Sequence, residues 1–175
     1  MKRLSEVTGL ALQWMQPSAW REAYELRANN DVVATLHFRS AFGSLATAQT
    51  ADDCWTFKRV GFWKTRVTVR RCDAEVDLAV FHNNTWKGGG TLELADGRRY
   101  LASTNTWQTR YEISDEAGES LLLFAIGGVL RQSAQVTIHP AAVRLDTLPL
   151  LLTLSWYLVV MMYQDSAAAT VVVAA

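Results

Sequence analysis

The chain has 175 residues, 50% of them hydrophobic and 19% charged. That size and balance describe one globular domain with a sizeable core and exclude a disordered chain. Its 17 basic residues equal its 17 acidic ones, so the basic excess of a dedicated nucleic-acid binder is missing and such a partner is not expected.

The first stretch, "MKRLSEVTGLALQWMQPSAW", begins basic, but Ser5, Glu6, Thr8 and Gln13 interrupt its apolar run. A secretory signal needs a continuous apolar core, so this segment is read as mature protein, with a strand in "LALQWMQ". From residue 20 the hydrophobic period is two. "WREAYELRANNDVVATLHFR" predicts two strands around Asn29-Asn30-Asp31, residues that tolerate turn backbone. A weaker run follows at Gly43–Thr50. "CWTFKRVGFWKTRVTVRRCDAEVDLAVFHN" holds three more strands, broken at Gly61 and around Asp73-Ala74.

"GGTLELADGRRYLAST" places Asp96-Gly97 between alternating segments, a strong hairpin signal. "WQTRYEISDEAGESLLLFAI" repeats the pattern around Asp115–Gly118, and "LRQSAQVTIHP" closes the series at Pro140, which has no N–H for a ladder. Eleven or twelve short strands at regular spacing, with no helical period among them, predict an antiparallel meander.

The character then changes. Asp146 and Thr147 suit a helix start, and Pro149 is tolerated in a first turn. "LPLLLTLSWYLVVMMYQD" is apolar on every face, which places a helix in a membrane or deep in a core. A spanning helix needs about 20 apolar residues, and this run reaches only Tyr163 before Asp165. A barrel of eleven or twelve strands leaves room for a helix inside it. The expected fold is therefore all-β: a closed antiparallel barrel of 11–12 strands enclosing a C-terminal hydrophobic helix. One domain is expected over residues 1–165, with the helix at about 147–164 and a short tail, 166–175, as an edge strand or without order. A tail-anchored arrangement is the alternative.

A many-stranded barrel built first and plugged last by an apolar helix resembles the tubby-like superfamily, which includes tubby C-terminal domains, phospholipid scramblases and LURP-one-related proteins. The residues carrying the likeness are "VRLDTLPLLLTLSWYLVVMMYQD", with one Asp before the helix and one after it. "WTFKRVGFWKTRVTVRR" and "WKGGGTLELADGRRYLA" are similar to the strand-turn pattern of small bacterial members. The resemblance implies a non-enzymatic binding module for anionic, phosphoinositide-type head groups, or for a protein partner, at the membrane surface; a structural or regulatory protein-interaction domain without lipid affinity is the alternative. It implies no cofactor and a cytoplasmic, peripheral location. The chain lacks the scramblases' cysteine-rich cluster and long proline-rich segment, and "HPAAVRLDT" offers only Asp146 where they carry an acidic calcium-binding stretch.

For an anion site the candidates are Lys58, Lys64, Arg66, Arg70 and Lys87. Lys64, Arg66 and Arg70 alternate along one strand and so share a face, with Val67 and Val69 on the other. Guanidinium and ammonium groups in such a row hold phosphate through charge-assisted bonds. The plain alternative is a solvated face in which Arg70 pairs with Asp77 across the turn. Lys87 stands beside three glycines in "WKGGG", either an anion nest or a turn. His37, His82 and His139 fall on separate strands without ligand spacing, so no metal is expected. Cys54 and Cys72 also fall in separate runs and are read as reduced thiols of a cytosolic protein. No nucleophile elbow or triad pattern is present, so no catalytic residue is assigned. The seven tryptophans are expected mostly between wall and helix; exposure at one rim would instead indicate membrane-interface contact.

Overall fold

The structure, a computed structural model, describes residues 1–7, 9–18, 21–40, 43–61, 65–84, 89–128 and 131–173, with side chains described up to residue 169 in the final helix. Twelve strands follow in order: β1 Leu12–Met15, β2 Ala23–Ala28, β3 Asp31–Phe38, β4 Ala46–Thr50, β5 Cys54–Val60, β6 Arg66–Arg71, β7 Ala79–Asn84, β8 Gly89–Leu94, β9 Arg99–Thr104, β10 Arg110–Ser114, β11 Ser120–Gly127 and β12 Ser133–Ile138. Helix α1 spans Leu148–Val173. Each strand pairs antiparallel with its sequence neighbour, and β1 closes the ring on β12, with Leu12 opposite Val136. No strand edge is left within the barrel, which removes the template for edge pairing.

The predicted turns form. Asn29 takes φ 54° between β2 and β3, and Gly97 takes φ +90° between β8 and β9. The run at Gly43–Thr50 contains β4, and "LALQWMQ" contains the twelfth strand, β1.

Alternation decides what faces inward. In β5, Trp55 and Phe57 are buried while Lys58 is exposed. Many inward positions carry alanine: Ala28, Ala34, Ala46, Ala48, Ala79 and Ala134 are all buried. Small side chains at these points widen the lumen, and large ones beside them grip whatever fills it. Ala48 sits opposite Trp55, and Ala46 opposite Phe57.

The lumen is filled by α1. Every residue from Leu150 to Met161 is buried, and these twelve account for about 18 Å of helix. Burial without a polar stripe is why the helix needs no outer face. Trp156 stacks on Trp14 with ring centroids 5.7 Å apart and meets Tyr24 edge-on at 5.8 Å. Tyr157 stacks on Phe38 at 5.5 Å, and its hydroxyl donates to the Ser44 carbonyl at 2.7 Å. The two buried hydroxyls on the helix turn back on its own backbone: Thr153 donates to Pro149 O at 3.0 Å and Ser155 to Leu151 O at 2.6 Å. Among the described residues no helix is long and apolar enough to cross a membrane.

Both ends of the plug are clamped. The Arg98 guanidinium donates to both Asp146 carboxylate oxygens, at 2.6 and 3.2 Å, just before the helix starts. Those bonds hold the Asp146 carboxyl below its ordinary pKa. At the other end Arg59 reaches inward from β5 to both oxygens of Asp165, at 2.8 and 2.7 Å. The two aspartates that frame the apolar run are thus the residues that fix its depth.

Two expectations need correction. The helix does not stop near residue 164; it continues to Val173, so the segment after Asp165 is mostly helix rather than a strand or loose tail. And Cys54 and Cys72 are not free thiols: they form a disulfide, Cα–Cα 5.4 Å. The β5–β6 register that sets Trp55 opposite Arg71 brings Cys54 opposite Cys72, where the Cys72 N–H donates to the Cys54 carbonyl at 3.1 Å. A cross-strand pair at that separation is within bridging range.

Candidate anion-binding face

The hairpin β5–β6 positions the basic side chains. Inward residues alternate with outward ones along each strand, and the antiparallel register places Thr56 opposite Arg70, Lys58 opposite Thr68 and Val60 opposite Arg66. Lys58, Arg66 and Arg70 therefore share the outer wall, where they line a shallow concavity of about 290 Å³ with Leu45, Thr56 and Thr68. Lys64 and Lys87 lie outside the described residues, as do Trp63 and Trp86.

The cations of this hairpin are not equivalent. Arg70 Nε donates to Asp77 Oδ1 at 2.6 Å, so the expected cross-strand ion pair forms. The connection that allows it runs from Cys72 to Leu78, longer than a two-residue turn, with Val69 opposite Ala79. Arg71 is paired with Asp53 and Arg59 with Asp165. Among the described residues Lys58 and Arg66 have no ion-pair partner. They are diagonal neighbours on adjacent strands, a separation of about 7–8 Å that long side chains bridge. The hydroxyl of Thr68, directly opposite Lys58, donates to the Lys58 carbonyl at 3.3 Å. Opposite Arg66 on the next strand stands the exposed His82. His82 does not line the hollow, but Lys58 and Arg66, without ion-pair partners among the described residues, can hold one phosphate from two strands.

The glycine run behaves differently. Gly89 and Gly90 belong to β8, and a Cβ on Gly90 would stand 2.2 Å from the His82 carbonyl oxygen and 2.5 Å from the Phe81 ring. These glycines permit close strand approach and are not part of a described nest. His37 lies on β3, His82 on β7 and His139 after β12. Among the described residues, no three His, Cys, Asp or Glu side chains come together as a ligand set.

The largest of the described concavities was not signalled by any motif. It is a cleft of about 1090 Å³ where α1 enters the barrel, with Leu4, Val7, Leu10, Ile138, Leu145 and Leu148 among its lining. Its charged lining residues are already matched, Arg3 with Asp52 and Asp146 with Arg98. Burial raises the phenols of Tyr24, Tyr111 and Tyr157 above 10.0, and the carboxylates of Asp146 and Asp96 raise the Arg98 guanidinium. These phenols belong to the packed interior and to neither concavity.

Tryptophan divides into two sets. Trp14, Trp55 and Trp156 are buried, whereas Trp107, on the β9–β10 connection, is 82% exposed. The expectation that most tryptophans line the lumen holds for the first set and fails for Trp107.

Fold and site together define a twelve-stranded antiparallel barrel plugged by its own C-terminal helix, with two cations on one outer hairpin that have no ion-pair partner among the described residues. Compared with protein-family models, with curated proteins and with solved structures, the chain matches none.

Proposed function

We propose that the protein is a non-enzymatic, tubby-like module that binds phosphate-bearing lipid head groups at a membrane surface. The observation that carries this reading is the pairing of Lys58 and Arg66 on the outer wall, without ion-pair partners among the described residues. The helix-plugged barrel and the aspartates at both ends of its helix support the family assignment. A disulfide persists in oxidising surroundings and is rare in the reducing cytosol, so the Cys54–Cys72 bond supports placing the module at a membrane surface that faces an oxidising space, in place of the cytoplasmic location expected from free thiols. Both phosphoinositides and phosphatidylglycerol therefore belong in the test.

Flotation with neutral, phosphoinositide-containing and phosphatidylglycerol-containing vesicles, at low and physiological salt, tests the reading. Salt-sensitive flotation with anionic vesicles only is expected, abolished by Lys58→Glu with Arg66→Glu. Arg70→Glu should matter less, because Asp77 already neutralises that charge. Absence of flotation from folded wild-type protein would reject lipid binding and turn attention to a protein partner.

A further inference from the structure

The two ends of the barrel differ in chemistry. The connections β2–β3, β4–β5, β6–β7, β8–β9 and β10–β11 leave at the end where α1 enters. Arg3, Arg71 and Arg98 pair there with Asp52, Asp53 and Asp96/Asp146, whereas Asp73, Glu75, Asp115 and Glu116, exposed or half-buried, have no ion-pair partner among the described residues. The exposed Val76 of that end sits among Asp73, Glu75 and Asp77. An anionic surface would repel it.

The opposite end, where α1 leaves, reverses the sign. Arg21, Arg39, Arg66 and Arg131 are all exposed there. Two acids stand there among the described residues: Asp165 is neutralised by Arg59, while Glu22 keeps its charge and accepts from the Tyr24 hydroxyl at 3.3 Å. Trp107 stands at this end, 82% exposed.

The same end is where the plug emerges. Side chains from Asp165 to Ala169 are exposed, and the backbone stays helical to Val173. Nine residues of helix reach about 13 Å. After Asp165 the sequence, "SAAATVVVAA", contains no charged side chain. Water offers such a helix end nothing, whereas the boundary between head groups and acyl chains accepts apolar helix faces and tryptophan rings together.

We infer that this end of the barrel is the face that meets an anionic bilayer. Trp107 and the projecting end of α1 enter the interface, and Arg21, Arg39, Arg66 and Arg131 lie on the head groups. The barrel then stands upright, with its acidic end turned away. The inference rests on the lipid reading above and adds the contact surface and the orientation. Lys58 and Arg66 sit toward this end of their strands, so the wall site and the rim face the same surface.

The test is flotation with phosphatidylcholine vesicles doped with phosphatidylglycerol, using folded full-length protein and variants checked by circular dichroism. Each cation removed near an anionic surface weakens partitioning about fivefold, so Arg21→Glu with Arg39→Glu should lower it by about 25-fold or more. Trp107→Ala should lower it about tenfold, with no change in thermal stability. A chain ending at Ser166 keeps the clamped, buried part of the helix and should also bind more weakly. Glu75→Lys with Glu116→Lys, at the other end, should not weaken binding.

If Lys58→Glu with Arg66→Glu abolishes binding while the rim variants bind as wild type, the lipid reading stands and this face is wrong. If wild-type protein does not float, both fall. If Arg21→Glu with Arg39→Glu reduces binding but Trp107→Ala and the shortened chain do not, the rim is a soluble-polyanion site and the bilayer inference is overturned.

Discussion

Replacing Trp156 by alanine tests whether the apolar helix is the barrel's core. The side chain is 0% exposed, stacked on Trp14 and edge-on to Tyr24. A buried Trp→Ala change costs about 3–5 kcal/mol from lost transfer energy and residual cavity. Collapse into the space is restricted, because β1, which carries Trp14, is hydrogen-bonded on both sides by β2 and β12. One term works the other way. The Trp156 indole N–H has no hydrogen-bond partner among the described residues, so its removal relieves a buried unsatisfied donor worth about 1–3 kcal/mol. The net expectation is about 2 kcal/mol. For a domain of this size that lowers Tm by about 4–8 °C. Urea unfolding followed by far-UV circular dichroism measures it, with Trp107→Ala as the exposed control, expected within about 0.5 kcal/mol of wild type. Equal and small losses for the two variants would show that the helix is not packed inside the wall.

Three further outcomes follow from the same geometry. Burial raises the phenols of Tyr24, Tyr111 and Tyr157, so the native state keeps protons that the unfolded chain releases near pH 10. Their contribution is complete below about pH 10 and is lost as pH rises above it, which a urea midpoint measured from about pH 8 to about pH 11 will show as a fall that Tyr111→Phe reduces. Replacing both Cys54 and Cys72 by serine opens a cross-link of sequence separation 18 and should cost about 3 kcal/mol; an unchanged urea midpoint would mean the bond is absent in solution. Gly90→Ala drives a Cβ into the His82 carbonyl and should cost about 1–3 kcal/mol, whereas Gly127→Ala, with nothing within 4 Å, should be neutral in the same thermal melt.

Much of the barrel is legible before any coordinates. Asn29, Gly97 and Gly118 mark turns because their left-handed backbone is demanded locally, and the plug announces itself as apolar on all faces. The disulfide is a matter of register. Cys54 and Cys72 lie equidistant from the middle of the connection between β5 and β6, so counting outward from that turn would have paired them. Composition alone could not. The site was half legible for a related reason: strand alternation put Arg66 and Arg70 on one face, but Lys58 joins them only through the β5–β6 register, and which of them keeps a free charge depends on Asp77 and on the long connection that brings it round. The polarity between the ends needed the full strand order, because acids and arginines that are mixed along the chain separate only when alternate connections are assigned to opposite rims.

Closing the ring on its first and last strands also governs how the molecule comes into being. Leu12 cannot meet Val136 until nearly four-fifths of the chain has been made, and the side chains that fill the lumen are translated later still. Every earlier fragment is an open sheet with two bare edges and an empty inner face. Such long-range closure is slow and exposes aggregation-prone surface. A nascent chain of this kind needs shelter until its final segment arrives, and premature termination anywhere upstream of Leu148 yields a sheet with no interior to hold it.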